Sequence, residues 1–377
     1  MKQRFTKRTR LVSALLTLAM VFTFLPFSAF AAEGVTDDST IELSEQNFPD
    51  KAFREYIKTK FDKKPDNRLI PAERKAVKKI DVSGGYNGQK ITNLKGIEFF
   101  PNLEELYCDN NQLTSLDVSQ NKALKYLNCS ENQLTSLDVS ENIALQKLSC
   151  YRNQLTSLDV SQNTQLKELR CYGNQLTSLD VSKNPALVWL SCTRNQLTSL
   201  DLSQNHALEN LQVMENCLTS LDLSPTVVST LYAAGNQIDI NVEETSRTFD
   251  LSTLPGKFDV TKATNWSGGA VSGSTLTVDK NATQVTYTYD CGKGLSRDFT
   301  LNVKVVPDGT VTPPEPPVTP PEPPVTPPEP PVTPPSGGGD GGGAVVIVAA
   351  AGAVAAGVVG YGVYNYVSGQ KLQALLP

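Results

Sequence analysis

The chain has 377 residues, a formal net charge of −5, seven cysteines and a single histidine. That length exceeds one small domain and allows several modules. The acidic balance argues against nucleic acid or an anionic membrane surface as ligand, and one histidine leaves no Cys/His or Ser/His/Asp machinery to assemble.

At the start, Lys2, Arg4, Lys7, Arg8 and Arg10 precede an apolar run from Leu11, and Ala29-Phe30-Ala31 fits a small-x-small cleavage site. Residues 1–31 therefore read as a secretory signal peptide. Residues 32–90 read as an N-terminal segment with a helical cap, because Phe53, Tyr56, Ile57 and Phe61 fall at helical spacing. In "DKKPDNRLIPAE", Asp62, Asp66 and Glu73 match carboxylate positions of an EF-hand loop. Lys64 replaces an oxygen ligand, Asn67 replaces the turn glycine, and Pro65 and Pro71 stiffen the loop. Asp62, Asp66 and Glu73 are therefore weak calcium candidates, and the expectation is a degenerate loop that holds no metal.

From Leu103 the sequence repeats itself. The unit L-x-x-L-x-C-x-x-N-x-L-T-S-L-D-V-S-x-N-x-x begins at Leu103, Leu124, Leu145, Leu166, Leu187 and Leu208, and a seventh begins one residue early at Val228. A fixed period of this length is the signature of a solenoid of stacked coils. The alternation at its start predicts a short strand in which Leu106 and Cys108 face the core while Glu105, Tyr107 and Asp109 face solvent. Asn111, Asn132, Asn153, Asn174, Asn195, Asn216 and Asn236 close the strands, where an amide can bond backbone groups that the turn leaves unpaired. A lone coil cannot offset the entropy of its own ordering, so residues 91–241 read as seven coils that fold only as a stack.

Cys108, Cys129, Cys150, Cys171 and Cys192 share the inward position that Val213 and Ala233 take in the last two coils. This predicts buried free thiols, since in-register neighbours about 4.8 Å apart give poor disulfide torsions. No histidine accompanies them as a metal ligand, and His206 falls at a loop position. The variable outward positions carry Tyr107, Tyr126, Tyr151, Tyr172, Trp189 and Tyr232, flanked by Arg152, Glu168, Arg170 and Arg194. Aromatics also favour strands for packing reasons, but a contiguous aromatic stripe with flanking charges predicts a recognition surface.

Beyond the repeats, "VTYTY" and "FTLNVKV" alternate as strands do, so residues 242–306 are expected to form a small β domain that closes the open end of the solenoid. Residues 307–343 read as a linker: V-T-P-P-E-P-P recurs between Val311 and Pro335, favouring a stiff polyproline II spacer, and a glycine-rich joint follows. Residues 344–363 carry no charge and are long enough to cross a hydrocarbon core of about 30 Å, so they are the candidate transmembrane segment, with 364–377 as a tail.

The repeat, with Cys at its sixth position and "LTSLDVS" behind it, resembles the leucine-rich repeats of secreted surface proteins of Gram-positive bacteria (Firmicutes), internalin-like in general design. "FPDKAFREYIKTKFD", "ITNLKGIEFFPNLEEL" and "RTFDLSTLPGKFDVTKATNWSGG" extend the likeness over most of residues 45–306. The resemblance implies a leucine-rich-repeat solenoid, parallel β on its concave face, with an N-terminal helical cap and a C-terminal all-β domain. With the signal reading at 1–31 and the uncharged run at 344–363, the chain reads as a non-catalytic, exported protein of the cell surface, held to the membrane by the C-terminal segment. Its concave face would recognise a protein partner, in adhesion or in host or cell interaction, with no cofactor. Carbohydrate or cell-wall glycan binding by the same stripe is the alternative, and a structural surface spacer is a further one.

Overall fold

The computed structural model describes residues 39–311. The signal-peptide reading, the body of the proline-rich run and the candidate span at 344–363 lie outside them. Among the described residues no helix is long and apolar enough to cross a membrane.

The first elements are β1 (Ile41–Glu42), α1 (Lys51–Phe61), β2 (Arg68–Leu69) and α2 (Pro71–Ala76). Asp50 caps α1, its Oδ1 accepting from Phe53 N at 3.0 Å, while its Oδ2 accepts from Thr92 N at 2.8 Å. One carboxylate thus starts the helix and ties it to the first loop of the solenoid. The helix buries Ala52, Phe53, Tyr56 and Ile57, and its last turn carries Lys58 and Lys60, which complement the helix dipole. Pro71 opens α2, where it needs no N–H partner.

The centre of the molecule is one parallel sheet of eight three-residue strands in sequence order. They are β3 (Lys79–Asp81), β4 (Glu105–Tyr107), β5 (Tyr126–Asn128), β6 (Lys147–Ser149), β7 (Glu168–Arg170), β8 (Trp189–Ser191), β9 (Asn210–Gln212) and β10 (Thr230–Tyr232). Each pairs in register with the next, so Ile80, Leu106, Leu127, Leu148, Leu169, Leu190, Leu211 and Leu231 form one buried column. A one-residue slip would turn this column toward solvent. The sheet holds one strand more than seven repeats supply. β3 comes from the segment read as a cap: Val77, Ile80 and Val82 take the Leu, Leu and Cys places, and a glycine-rich excursion at 83–90 hides the pattern before Ile91 resumes it.

Two columns of buried asparagine hold the coils together. In the first, Asn174 donates from Nδ2 to Cys150 O at 3.1 Å and Cys171 O at 3.0 Å, and its Oδ1 accepts from Leu155 N at 3.0 Å. The same three-way bonding recurs from Asn111 to Asn236. The second column, Asn121, Asn142, Asn163, Asn184 and Asn205, is fully buried and went unread in the sequence. Asn163 donates to Val139 O at 2.9 Å and Asn142 O at 3.0 Å, but its Oδ1 accepts nothing among the described residues.

After the last coil, β11 (Gln237–Glu243), β13 (Ala263–Ser267), β16 (Gln284–Asp290) and β17 (Ser296–Val306) form a sheet in the order β11-β17-β16-β13. β12 (Thr248–Asp250), β14 (Gly269–Ser272) and β15 (Thr275–Val278) form another, in the order β12-β15-β14. β11 runs across the 241/242 boundary drawn from the sequence and leaves the final coil with no intervening linker. Tyr287 Oη donates to Thr219 O at 2.6 Å, and Arg297 Nη2 donates to Leu231 O at 2.8 Å, so the strands of this region bond directly to the last coils.

Candidate functional site

In-register stacking decides which outward side chains meet. Every coil offers three concave positions, and each position lines up only with its own copies. The six aromatics therefore do not form the contiguous stripe expected from their spacing. Tyr126 and Trp189 stand in the first column with Glu105, Lys147, Glu168, Asn210 and Thr230. Tyr107 and Tyr232 stand in the second, with Asn128, Ser149, Arg170, Ser191 and Gln212 between them. Tyr151 and Tyr172 share the third column, just past the strand ends. Only this last pair is in adjacent coils at one position, and its rings stack at 4.4 Å with planes 7° apart. Tyr232, at the far end, is the most open of the six, 51% exposed.

The charges fill the gaps between aromatics. Lys147 Nζ lies 3.5 Å from Glu168 Oε2 and 5.7 Å from the Tyr126 ring centre. Arg170 Nε lies 2.6 Å from Glu168 Oε1, and its guanidinium carbon is 5.4 Å from the Trp189 ring centre. Lys79, which sequence reasoning did not single out, repeats the motif one end over: 3.6 Å to Glu105 and 4.3 Å to the Tyr107 ring centre. The signal was available, because Lys79, Glu105, Lys147 and Glu168 share one repeat offset once β3 counts as a coil. Cation–aromatic contacts at exposed sites are worth about 0.5–1 kcal/mol each, and exposed ion pairs similarly little, so these groups remain available to a partner.

Arg152 and Arg194 sit on the turn that follows each strand. That turn is left-handed in every coil, with φ of 55° at Asn110, 52° at Glu131, 51° at Arg152, 55° at Arg194 and 52° at Glu215. Arg152 pairs with Glu131 at 2.7 Å and Arg194 with Glu215 at 2.9 Å. Gly173 separates the two pairs. Tyr172, Arg170, Trp189 and Arg194 thus converge on the fourth and fifth coils, whereas Tyr107 and Tyr232 stand apart at the two ends.

Elsewhere the candidate chemistry is bound up in backbone bonds. Asp62 accepts from Asp66 N at 3.3 Å and Asn67 N at 2.9 Å, Glu73 accepts from Lys63 N and Ile70 N at 3.0 Å, and Asp66 accepts from Arg68 N at 3.0 Å. In the "LDV" and "LDL" steps, Asp138, Asp159, Asp180 and Asp201 each accept from the serine N–H two residues on, at 2.8–2.9 Å, which holds those carboxyls below their usual range. The five inward cysteines are fully buried and unbridged. Burial pushes the Cys129 and Cys171 thiols up to about 12 and raises the other three. His206 is exposed, its Nδ1 2.9 Å from Pro225 O.

Residues 101–142 match the family profile described as Leucine Rich repeats (2 copies). No curated protein matches the chain. Among solved structures, a leucine-rich-repeat protein of Leptospira interrogans is 27% identical with a TM-score of 0.41, and the match covers 45% of this chain and 46% of that one. This chain thus spans about half the length of the Leptospira protein. Internalin C2 of Listeria monocytogenes is 19% identical with a TM-score of 0.44, covering 56% of this chain and 90% of that one. The functional domain of InlJ from Listeria monocytogenes, described as including a cysteine ladder, is 19% identical with a TM-score of 0.23, covering 71% of this chain and 99% of that one. The chain carries leucine-rich repeats, and its eight parallel strands stack them into a solenoid.

Proposed function

We propose that this protein is a non-catalytic binding protein, exported and held at the cell surface, that recognises a protein partner with the concave face of its solenoid. What supports this most is the division of labour within each coil. Inward leucines and both asparagine columns hardly vary, while one outward position reads Glu105, Tyr126, Lys147, Glu168, Trp189, Asn210 and Thr230. Stacking alone has no use for that variety. Aromatic and guanidinium groups are the side chains that most often anchor protein interfaces, and here they gather around Tyr172, Arg170 and Trp189.

The terminal elements fit the same reading. α1 and α2 would cap the first coil and the strands after Gln237 the last, since the ends of a solenoid otherwise expose apolar surface. The residues after Val306 would serve as stalk and membrane attachment. A carboxylate bonded to its own backbone is a turn element, so the aspartate steps support a binding role over catalysis. A protein ligand is favoured over a glycan because Tyr151 and Tyr172 spend one face of each ring on the other, whereas a sugar-stacking platform keeps its ring faces open.

A photo-crosslinking residue at Ser149, on the concave face beside Arg170, tests the reading. It should capture a protein from cell extracts, while the same probe at Gln162 on the back captures none. Capture of glycan alone from Ser149, or equal capture from both positions, would contradict it.

A further inference from the structure

The end of the solenoid is joined to the following sheet in a particular way. Asn236, the last of the first asparagine column, is buried with Nδ2 on Val213 O at 2.9 Å and Ala233 O at 2.7 Å, and the next residue opens β11. At the other end, β17 finishes at Val306 and the chain is tied down at once. Asp308 accepts from Thr245 N at 3.0 Å and from the Thr245 hydroxyl, and Gly309 N donates to Glu243 Oε1 at 2.8 Å. Between these ends β11 and β17 are parallel neighbours in unbroken register, from Gln237 opposite Thr300 to Glu243 opposite Val306. Ile240, Val242 and Leu301 are buried along the pair, and β16 backs β17 from Gln284–Asn302 to Asp290–Ser296.

Connectivity decides how this ladder meets tension. A pull on the solenoid enters β11 at its N-terminal end. A pull on the chain beyond Val306 enters β17 at its C-terminal end. For parallel neighbours these two ends are the far ends of the ladder, so the forces run along the strands in opposite directions and every hydrogen bond is loaded together. In an antiparallel pair the same two ends would lie side by side, and the ladder would open one bond at a time.

We propose that residues 237–306 act as a shear clamp, a second function of the fold, through which the protein bears tensile load between its solenoid and the chain after Val306. The biological use of the clamp rests on the reading that a partner is held on the solenoid while the C-terminal segment is held at the cell. The test does not, because it loads the ladder directly and needs no partner.

Single-molecule pulling on a full-length Lys293→Cys protein gives that test. Lys293 lies in the exposed turn before β17, so its thiol is open to coupling. Pulled by its two ends, the protein should lose its coils first, because three-residue strands peel from their neighbours one coil at a time. Residues 237–306 should yield last, at several-fold higher force, releasing on the order of 240 Å at roughly 3.4 Å per residue. Pulled instead between the N-terminus and position 293, the same molecule is loaded at the end of β17 that lies beside the start of β11. The ladder should then peel, and the final force should fall several-fold. Forced unfolding reports the unfolding rate along the loaded path, and one protein serves both attachments, so its unloaded stability is the same in each. Equal final forces for the two attachments, or yielding of residues 237–306 before the coils, would overturn the clamp.

Discussion

The two asparagine columns look alike in sequence and should behave differently when cut. Replacing Asn174 with Ala removes three bonds, but the loss is uneven. Cys150 O still accepts from Asn153 and Cys171 O from Asn195, whereas Leu155 N loses the only acceptor it has among the described residues. One orphaned buried N–H costs about 1–3 kcal/mol, and two hydrogen bonds whose acceptors keep another partner add roughly 1 kcal/mol together, giving about 2–4 kcal/mol. Replacing Asn163 with Ala also removes two donors, yet Val139 O keeps Asn142 N and Asn142 O keeps Leu145 N. It orphans no backbone group and removes a buried Oδ1 that had no partner, so it should cost under about 1 kcal/mol beyond the common loss of side-chain volume. Native-state hydrogen exchange reads both effects locally, without assuming that a repeat protein unfolds in one step. In Asn174→Ala, the Leu155 amide should exchange roughly 30- to 700-fold faster, at tenfold per 1.4 kcal/mol. Exposed Gln175→Ala should leave it within about 0.5 kcal/mol of wild type. Equal losses from Asn174→Ala and Asn163→Ala would refute the bond-by-bond reasoning.

Native protein should react with a thiol reagent at Cys108, Cys129, Cys150, Cys171 and Cys192 only on unfolding, when all five appear without reductant; missing thiols after denaturation would mean disulfides. Calcium should leave the melting temperature unchanged, because a specific ligand raises it by mass action; a rise abolished by Asp62→Ala would restore the metal-loop reading. Stability should also fall in acid. The folded carboxyls of Asp138, Asp159, Asp180 and Asp201 lie below their ordinary value, so their contribution is complete above the unfolded pKa and is lost as pH drops through the folded one, below about pH 4. Converting all four to Asn keeps an oxygen acceptor for the serine amide and should flatten the acid limb of the melting profile; an unchanged limb would assign it to other groups.

The solenoid was legible because its period is strict. Once Leu103, Leu106 and Cys108 recur every 21 residues, strand, turn and inward face follow from alternation, and the first asparagine column follows from the turn. Three things did not. The first strand was masked because Val77, Ile80 and Val82 share the shape but not the letters of the repeat, and the glycine-rich excursion at 83–90 breaks the spacing. The second asparagine column is hidden because Asn163 follows polar Ser161 and Gln162 and reads as loop; only stacking shows that it is buried and donates into the preceding coil. The arrangement of the aromatics was open to reading: alternation says only that Tyr126 and Tyr151 face outward, but Tyr126 is the third residue of its repeat and Tyr151 the seventh, and in-register stacking turns those offsets into different columns. The parallel pairing of β11 with β17 joins residues some sixty positions apart, with no local signal in either strand.

Under the proposed function, the concave face around the fourth and fifth coils holds the partner. The most direct test is the affinity of a Tyr151→Ala/Tyr172→Ala/Trp189→Ala protein for the partner captured from Ser149. A Gln162→Ala/Lys183→Ala/Gln204→Ala protein, altered on the exposed back of the coils, serves as control. Stacked ring pairs are worth about 0.5–1.5 kcal/mol, so the aromatic variant should stay folded. Interface anchors of these types cost roughly 2 kcal/mol or more when truncated, so its binding should weaken by at least about 30-fold while the control binds as wild type. A folded aromatic variant that binds with unchanged affinity would contradict the account.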